Sequence, residues 1–421
     1  MRMQSTGDRR DKGFESRIQH TSSDLGAHHF DNIGHLQLWT NNGKKMKKLI
    51  IRITTRPVRT AFLLSLLASM PAMAQGPAAL PVDKTARIEA AVTVLMSSKH
   101  IPGLSIAIIS DNQLRWQSGY GMADLENSVP AQAATVYRTA SVAKPITAVA
   151  VMQLVERGKL DLDAPIQKYV PTFPTKPWPI TTRQLLGHLS GIRNYKPNED
   201  LSTRFYSSLT EALSIFENDP LDFEPGTKYS YTTYGYTLLG TVIEGASGMS
   251  YIDYMRENVF KPAKMSHTQV DNVYDIIPNR ARGYHPKVYG KFDGNLRNAD
   301  LADTSYKIPA GGLVSTVEDL ANFAIAVQNG VLIKKASFEQ MCTPQKTRDG
   351  RATPYGLGWY LDGVGDLKGL VWHGGVQAGF TSNIYIVPQA HLAIAILTNL
   401  EGGGYLGLNG LSNQIADILK Q

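Results

Sequence analysis

A single cysteine, Cys342, is all that the 421-residue chain contains, so no internal disulfide braces the fold. Its surroundings, EQMCTPQ, offer no base to activate the thiol, which leaves the reading of a small buried hydrophobe. A basic surface is missing too. The net charge of +7 falls wholly within residues 1–74, which hold 12 Lys/Arg against 5 Asp/Glu, while the remainder balances 31 against 31. A nucleic-acid binder keeps its positive charge on the folded domain, so no nucleic-acid partner is expected. No apolar run approaches the about 20 residues that cross a bilayer. There is no internal repeat, and the glycine-rich EGGGYLG has no nucleotide-loop pattern. No His/Asp/Glu group has metal-ligand spacing, so neither metal nor other cofactor is expected.

What is present begins with a leader. From Met46 the chain reads MKKLIIRITTRPVRTAFLLSLLASMPAMAQG, with Lys47, Lys48, Arg52, Arg56 and Arg59 ahead of the apolar Ala61–Met70 and the small-x-small Ala72-Met73-Ala74. A basic region, a short apolar region and a cleavage site make residues 46–74 a signal peptide rather than an anchor helix. No cysteine follows for a lipid, and the arginines are not paired. The expected product is periplasmic or secreted, without a stable membrane anchor. Residues 1–45 are polar and aperiodic, an untranslated extension upstream of Met46 or a disordered tail.

Residues 75–421 then read as one domain of the α+β class. Ile88, Ala91, Val92, Leu95 and Met96 mark one face of a first helix. LSIAIIS and QLRWQSGYG flank Asp111-Asn112 as a hairpin. Near the end LVWHG, GFTSNIYIVP and HLAIAILTN are strand-like, and Leu406 to Gln421 suits a closing helix. Strands at both ends of the domain predict one antiparallel sheet built from both, flanked by helices. Residues 160–305, irregular and rich in Pro and Tyr, predict an inserted, mainly helical lobe.

Within TASVAKPITA, Ser141 and Lys144 are the polar groups before a greasy run. Ser141 is placed about where a helix N-cap belongs, with Pro145 in the first turn. Three residues apart, the hydroxyl and the amine project from one face at the helix mouth. Burial and the positive helix end both disfavour a charged amine. A neutral amine beside a hydroxyl takes its proton and makes it a nucleophile. Alone, Ser-x-x-Lys occurs by chance in many helices. Here it is followed, in order, by Tyr231 and Thr233 in FEPGTKYSYTTYGYTLLG and by His373-Gly374-Gly375 in VWHGGVQAGFTSNIYIVP.

These three elements resemble the Ser-x-x-Lys, Tyr-x-Asn and (Lys/His)-x-Gly motifs of the serine β-lactamase and penicillin-binding protein superfamily, in its class C and esterase branch. LLGHLSGI, AGGLVSTVEDLANF and a Pro-Gly-Thr before the tyrosine match as well. The stretches GKLDLDAPIQKYVPTFP, HLSGIRNY and TSYKIPAGGLVSTVEDL look most similar to mitochondrial serine β-lactamase-like proteins and their bacterial relatives. The likeness covers roughly residues 83 to 418.

The resemblance implies an α+β, β-lactamase/transpeptidase-like fold. It makes Ser141 the acylated nucleophile, Lys144 its proton acceptor, and Tyr231 a phenol that relays protons, helped by positive charge from Lys144 and His373. His373 would line the pocket from a strand. The backbone N–H groups of Ser141 and Val376 would form the oxyanion hole, with Thr233, Gly374 and Gly375 against the substrate. His188 matches a structural position without chemistry. Two departures stand out. Thr233 replaces an asparagine that contacts the substrate amide, and His373 replaces the lysine of antibiotic-hydrolysing members; both weaken recognition of a β-lactam. The expected function is an exported serine hydrolase acting through an acyl-enzyme on a peptide, ester or other small-molecule substrate. A β-lactam-hydrolysing or penicillin-binding enzyme, and a non-catalytic binding or assembly module of the same fold, are the alternatives.

Overall fold

A computed structural model of the protein describes residues 79–362 and 369–421. The leader and the extension before it lie outside the described residues. The first helix, α1 (Val82–Lys99), buries Ile88, Ala91 and Val92. It leads into the strands β1 (Gly103–Ser110) and β2 (Gln113–Asp124). Asp111 and Asn112, at φ 53° and 55°, make the left-handed two-residue turn that suits strand twist, so the hairpin is a tight one.

Short β3 (Val129–Pro130) edges β2. From the far end of the chain come β4 (Tyr360–Asp362), β5 (Leu370–Gln377), β6 (Phe380–Val387) and β7 (Leu392–Thr398). The seven form one sheet in the order β3-β2-β1-β7-β6-β5-β4, each pair antiparallel. The junction is β1 against β7, with Ile106 opposite Ile396 and Ile108 opposite Ile394. The apolar runs from both ends of the domain meet there, as the sequence predicts.

Alternation along the strands sorts two cores. Leu104, Ile106 and Ile108 of β1 join Leu392, Ile394 and Ile396 of β7 under α1 and the last helix, α5 (Leu408–Lys420). Ala107, Ile109, Ala393, Ala395 and Leu397 face the opposite way. Against them lie α2 (Ala143–Glu156), α3 (Thr233–Ser247) and α4 (Val317–Gln328). Helix α2 buries twelve residues from Ala143 to Leu154, and burial on every side is why its sequence is so uniformly apolar.

The stretch 160–305 carries α3 and the short helices Thr182–Leu186, Leu209–Leu213 and Tyr251–Met255. Its strands are two or three residues long and none joins the seven-stranded sheet. Thr232 caps α3, its side chain accepting from the Gly235 N–H, and Gly248 ends it at φ 74°. Among the described residues no helix is long and apolar enough to cross a membrane. Cys342 is half-buried against the main core, and burial pushes its thiol up to about 12.

Candidate active site

Ser141 is not the N-cap that its position suggests. It is the middle residue of a 3₁₀ turn, Ala140–Val142, that runs straight into α2. Ala140 holds φ 45°, a left-handed conformation that a non-glycine residue adopts only where its surroundings enforce it. Three enforce it here. The Thr139 N–H donates to the Leu313 carbonyl at 2.9 Å, the Thr139 carbonyl accepts from Ser382 Oγ at 2.5 Å, and β5 presses from the side. A Cβ on Gly375 of that strand would stand 2.6 Å from the Thr139 oxygen and 2.8 Å from the Ser141 nitrogen. Only glycine lets the strand come so near.

Lys144, on the first turn of α2, has no solvent exposure. Its Nζ lies 3.0 Å from Ser141 Oγ and donates to the Ala310 carbonyl at 2.9 Å. Tyrosine faces enclose the rest, Tyr231 at 4.9 Å and Tyr236 at 5.6 Å from Nζ to ring centroid. Among the described residues no carboxylate pairs with it. Desolvation, reinforced by the nearby Lys307 charge, holds its amine well below the ordinary lysine value.

Tyr231 is half-buried and its phenol interacts with the Ser141 side chain. Burial drives the phenol well above its usual value, so it is a neutral donor rather than a phenolate. The positive support that the sequence reading assigns to it is weakened, because desolvation disfavours the charged form of both Lys144 and His373.

His373 departs further from expectation. It is fully buried and does not line the cleft. Strand alternation puts Gly374 and Val376 on the cleft and turns the His373 ring inward. Its Nδ1 lies 2.7 Å from the Gly374 carbonyl, which can only accept, so Nδ1 carries the proton and Nε2 accepts from the Tyr355 hydroxyl at 2.8 Å. Desolvation, then the proximity of Lys144, lower it to about 3. His188 is just as buried, at φ 57°, with its ring 4.3 Å from that of Tyr231. Its Nδ1 accepts from the Thr232 N–H at 3.2 Å, which props the tyrosine from behind.

Ser141, Tyr231, Thr233, Gly374 and Val376 line one cleft of about 490 Å³. A larger hollow, about 1010 Å³ and lined by Lys264, His267 and Asp271, holds none of the motif residues. Two cleft residues were not foreseen. Asn194 accepts the Thr233 N–H on Oδ1 at 3.0 Å, so an amide stands next to the threonine that replaces one. Lys307 enters from the turn Ser305–Lys307. Both sit in stretches whose likeness to the family is plain, HLSGIRNY and TSYKIPAGGLVSTVEDL, yet neither belongs to a motif with an assigned chemistry.

The Beta-lactamase family model matches residues 88–412. The mitochondrial serine beta-lactamase-like protein LACTB of Homo sapiens is 36% identical over 299 residues, covering 54% of this chain and 54% of that protein. Protein flp of Staphylococcus aureus is 28% identical over 329 residues, 76% of this chain and 64% of the relative. The chain thus spans about half the length of the mitochondrial relative and under two thirds of the staphylococcal one. Among solved structures, the octameric penicillin-binding protein homologue from Pyrococcus abyssi superposes with a TM-score of 0.63 at 28% identity, over 75% of this chain and 73% of that one. With the α+β fold, the cleft and the family match in agreement, the chain belongs to the Beta-lactamase family of serine hydrolases.

Proposed function

We propose that the protein is an exported serine hydrolase that forms a covalent acyl-enzyme at Ser141, on ester or peptide substrates. The observation that carries this is the Ser141–Lys144 contact of 3.0 Å, made by an amine that has been stripped of both water and counter-ion. Such an amine is a base at neutral pH. Ser141 Oγ attacks the substrate carbonyl carbon as its proton passes to Lys144 Nζ. The N–H groups of Ser141 and Val376 receive the developing oxyanion. Breakdown expels the alcohol or amine, protonated through Lys144 and the Tyr231 phenol, and leaves the acyl group on Ser141. Water then attacks this ester by the reverse proton route. Thr233, Asn194 and Gly374 bound the substrate, while Gly375, expected against it, faces the Ser141 turn instead. The leader directs the chain to the periplasm or beyond, where it works on small molecules or peptides without a nucleic-acid partner.

An uncharged fluorophosphonate should label the protein at Ser141, read by mass spectrometry of the tryptic peptides, and Ser141→Ala should abolish the label. Full labelling of that variant would overturn the assignment. A wild-type protein that takes no label would favour the non-catalytic module, and faster turnover of nitrocefin than of every ester tried would favour the β-lactamase reading.

A further inference from the structure

Lys307 is the second lysine of the cleft, and its situation differs from that of Lys144. Only 5% of it is exposed. Its Nζ lies 5.4 Å from the centre of the Tyr195 ring and 5.1 Å from that of Tyr306. Among the described residues it makes no ion pair and no side-chain hydrogen bond. Two carboxylates share the cleft without pairing with it. Glu401 is committed elsewhere, accepting the Gly379 N–H at 3.0 Å and standing 3.9 Å from His285 Nε2. Asp200 is exposed at the rim, where its main-chain carbonyl accepts from Tyr306 Oη at 3.4 Å and its carboxylate acts on that phenol through charge without pairing with the lysine.

Lysines are almost never buried without a partner, because desolvating an ammonium is costly. Two aromatic faces offset part of that cost, yet they leave the three N–H donors of the ammonium unspent. Those donors border the same cleft as Ser141. We propose that Lys307 is an anion-recognition residue, and that the substrate hydrolysed at Ser141 carries a carboxylate or equivalent negative group that it pairs with. This rests on the hydrolase reading above and deepens it. The departure at His373 thereby acquires a counterpart. The strand that would have offered a cation turns its side chain inward, and a cation reaches the cleft from another part of the chain.

The test uses two matched pairs of esters, one for each side of the scissile bond. Mono-4-nitrophenyl glutarate and its methyl ester differ in acyl-side charge; 4-acetoxybenzoate and its methyl ester differ in leaving-group charge. With the wild-type protein, the carboxylate member of one pair should be preferred about tenfold to a hundredfold in kcat/KM, the range for a hydrogen bond to a charged group. The pair that responds tells which side Lys307 reads. Lys307→Gln should bring that ratio close to one, chiefly through KM, and Lys307→Arg should restore most of it. A wild-type ratio at or below one in both pairs overturns the proposal, as does a preference that survives in Lys307→Gln. The wild-type ratio decides alone if neither variant folds. Failure of the hydrolase reading shows separately, as absent Ser141 labelling by the uncharged fluorophosphonate. In that event calorimetric binding of glutarate, present in the wild type and lost in Lys307→Gln, supports the anion site, and no binding to the wild type overturns it.

Discussion

Two basic side chains from two motifs, Lys144 on helix α2 and His373 on strand β5, are buried completely, and desolvation disfavours the charged form of both. Their geometry separates them. The Lys144 amine touches the Ser141 hydroxyl, so in the proposed reaction desolvation makes it a base at the attacking atom. The His373 ring spends both nitrogens on the Gly374 carbonyl and the Tyr355 hydroxyl, so desolvation merely fixes a neutral tautomer away from the cleft. A perturbed base is a candidate for chemistry only when a reacting group lies within reach.

The largest effect that would break this comparison is on rate. Lys144→Ala should slow acylation by the fluorophosphonate about 10²–10⁴-fold, the usual worth of a general base, measured by stopped labelling time courses. His373→Gln should slow it far less. An equal loss in the two variants would show that the histidine takes part in proton transfer.

Replacing the same histidine by leucine should instead cost stability. The buried Tyr355 hydroxyl loses its acceptor, which is worth about 1–3 kcal/mol, and urea unfolding followed by circular dichroism would read it. Tyr355→Phe combined with it should restore part of the loss, because both partners are then gone.

The smallest effect is on thermal stability and has a sign that pH can test. Lys144 is held well below its ordinary 10.5 in the fold, so between that lowered value and 10.5 the unfolded chain binds a proton there that the folded chain does not. Stability from this group therefore rises with pH through the window between its lowered value and 10.5. Lys144→Met, which removes the amine, should melt roughly 2 °C or more above the wild type at pH 7, and the gain should shrink as the pH nears 10.5. His373 adds a slope of the same sign in mild acid, because between its value of about 3 in the fold and its ordinary 6.5 the unfolded chain holds a proton that the folded chain does not; that contribution levels off above about pH 7.5.

Much of the frame was legible in the residues. Period-two apolar runs at both ends of the domain require a common sheet, because neither hairpin nor three-stranded ribbon can bury its own face, and the Ile106–Ile396 pairing realises that. The i,i+3 spacing of Ser141 and Lys144 sets their proximity within one turn, whatever the rest of the chain does. Local chemistry of this kind needs no knowledge of distant partners. The cap assignment of Ser141 failed for the opposite reason, since Leu313, Ser382 and Gly375 hold the turn from three remote segments.

What tertiary structure alone decided is which side chains share the cleft. Lys307 follows Ser141 by more than 150 residues, and no periodicity announces that its ammonium is left without a partner. Asn194 reaches Thr233 across 39 residues and puts an amide beside a position where the sequence records only a loss. The direction of the His373 ring follows from strand alternation once Gly375 is pressed on the Ser141 turn, because adjacent residues of a strand cannot face the same way. Sequence determined the Ser141–Lys144 contact through the geometry of one helical turn; the surroundings that desolvate the amine, and the second lysine that borders the cleft, come from long-range packing that no local pattern encodes.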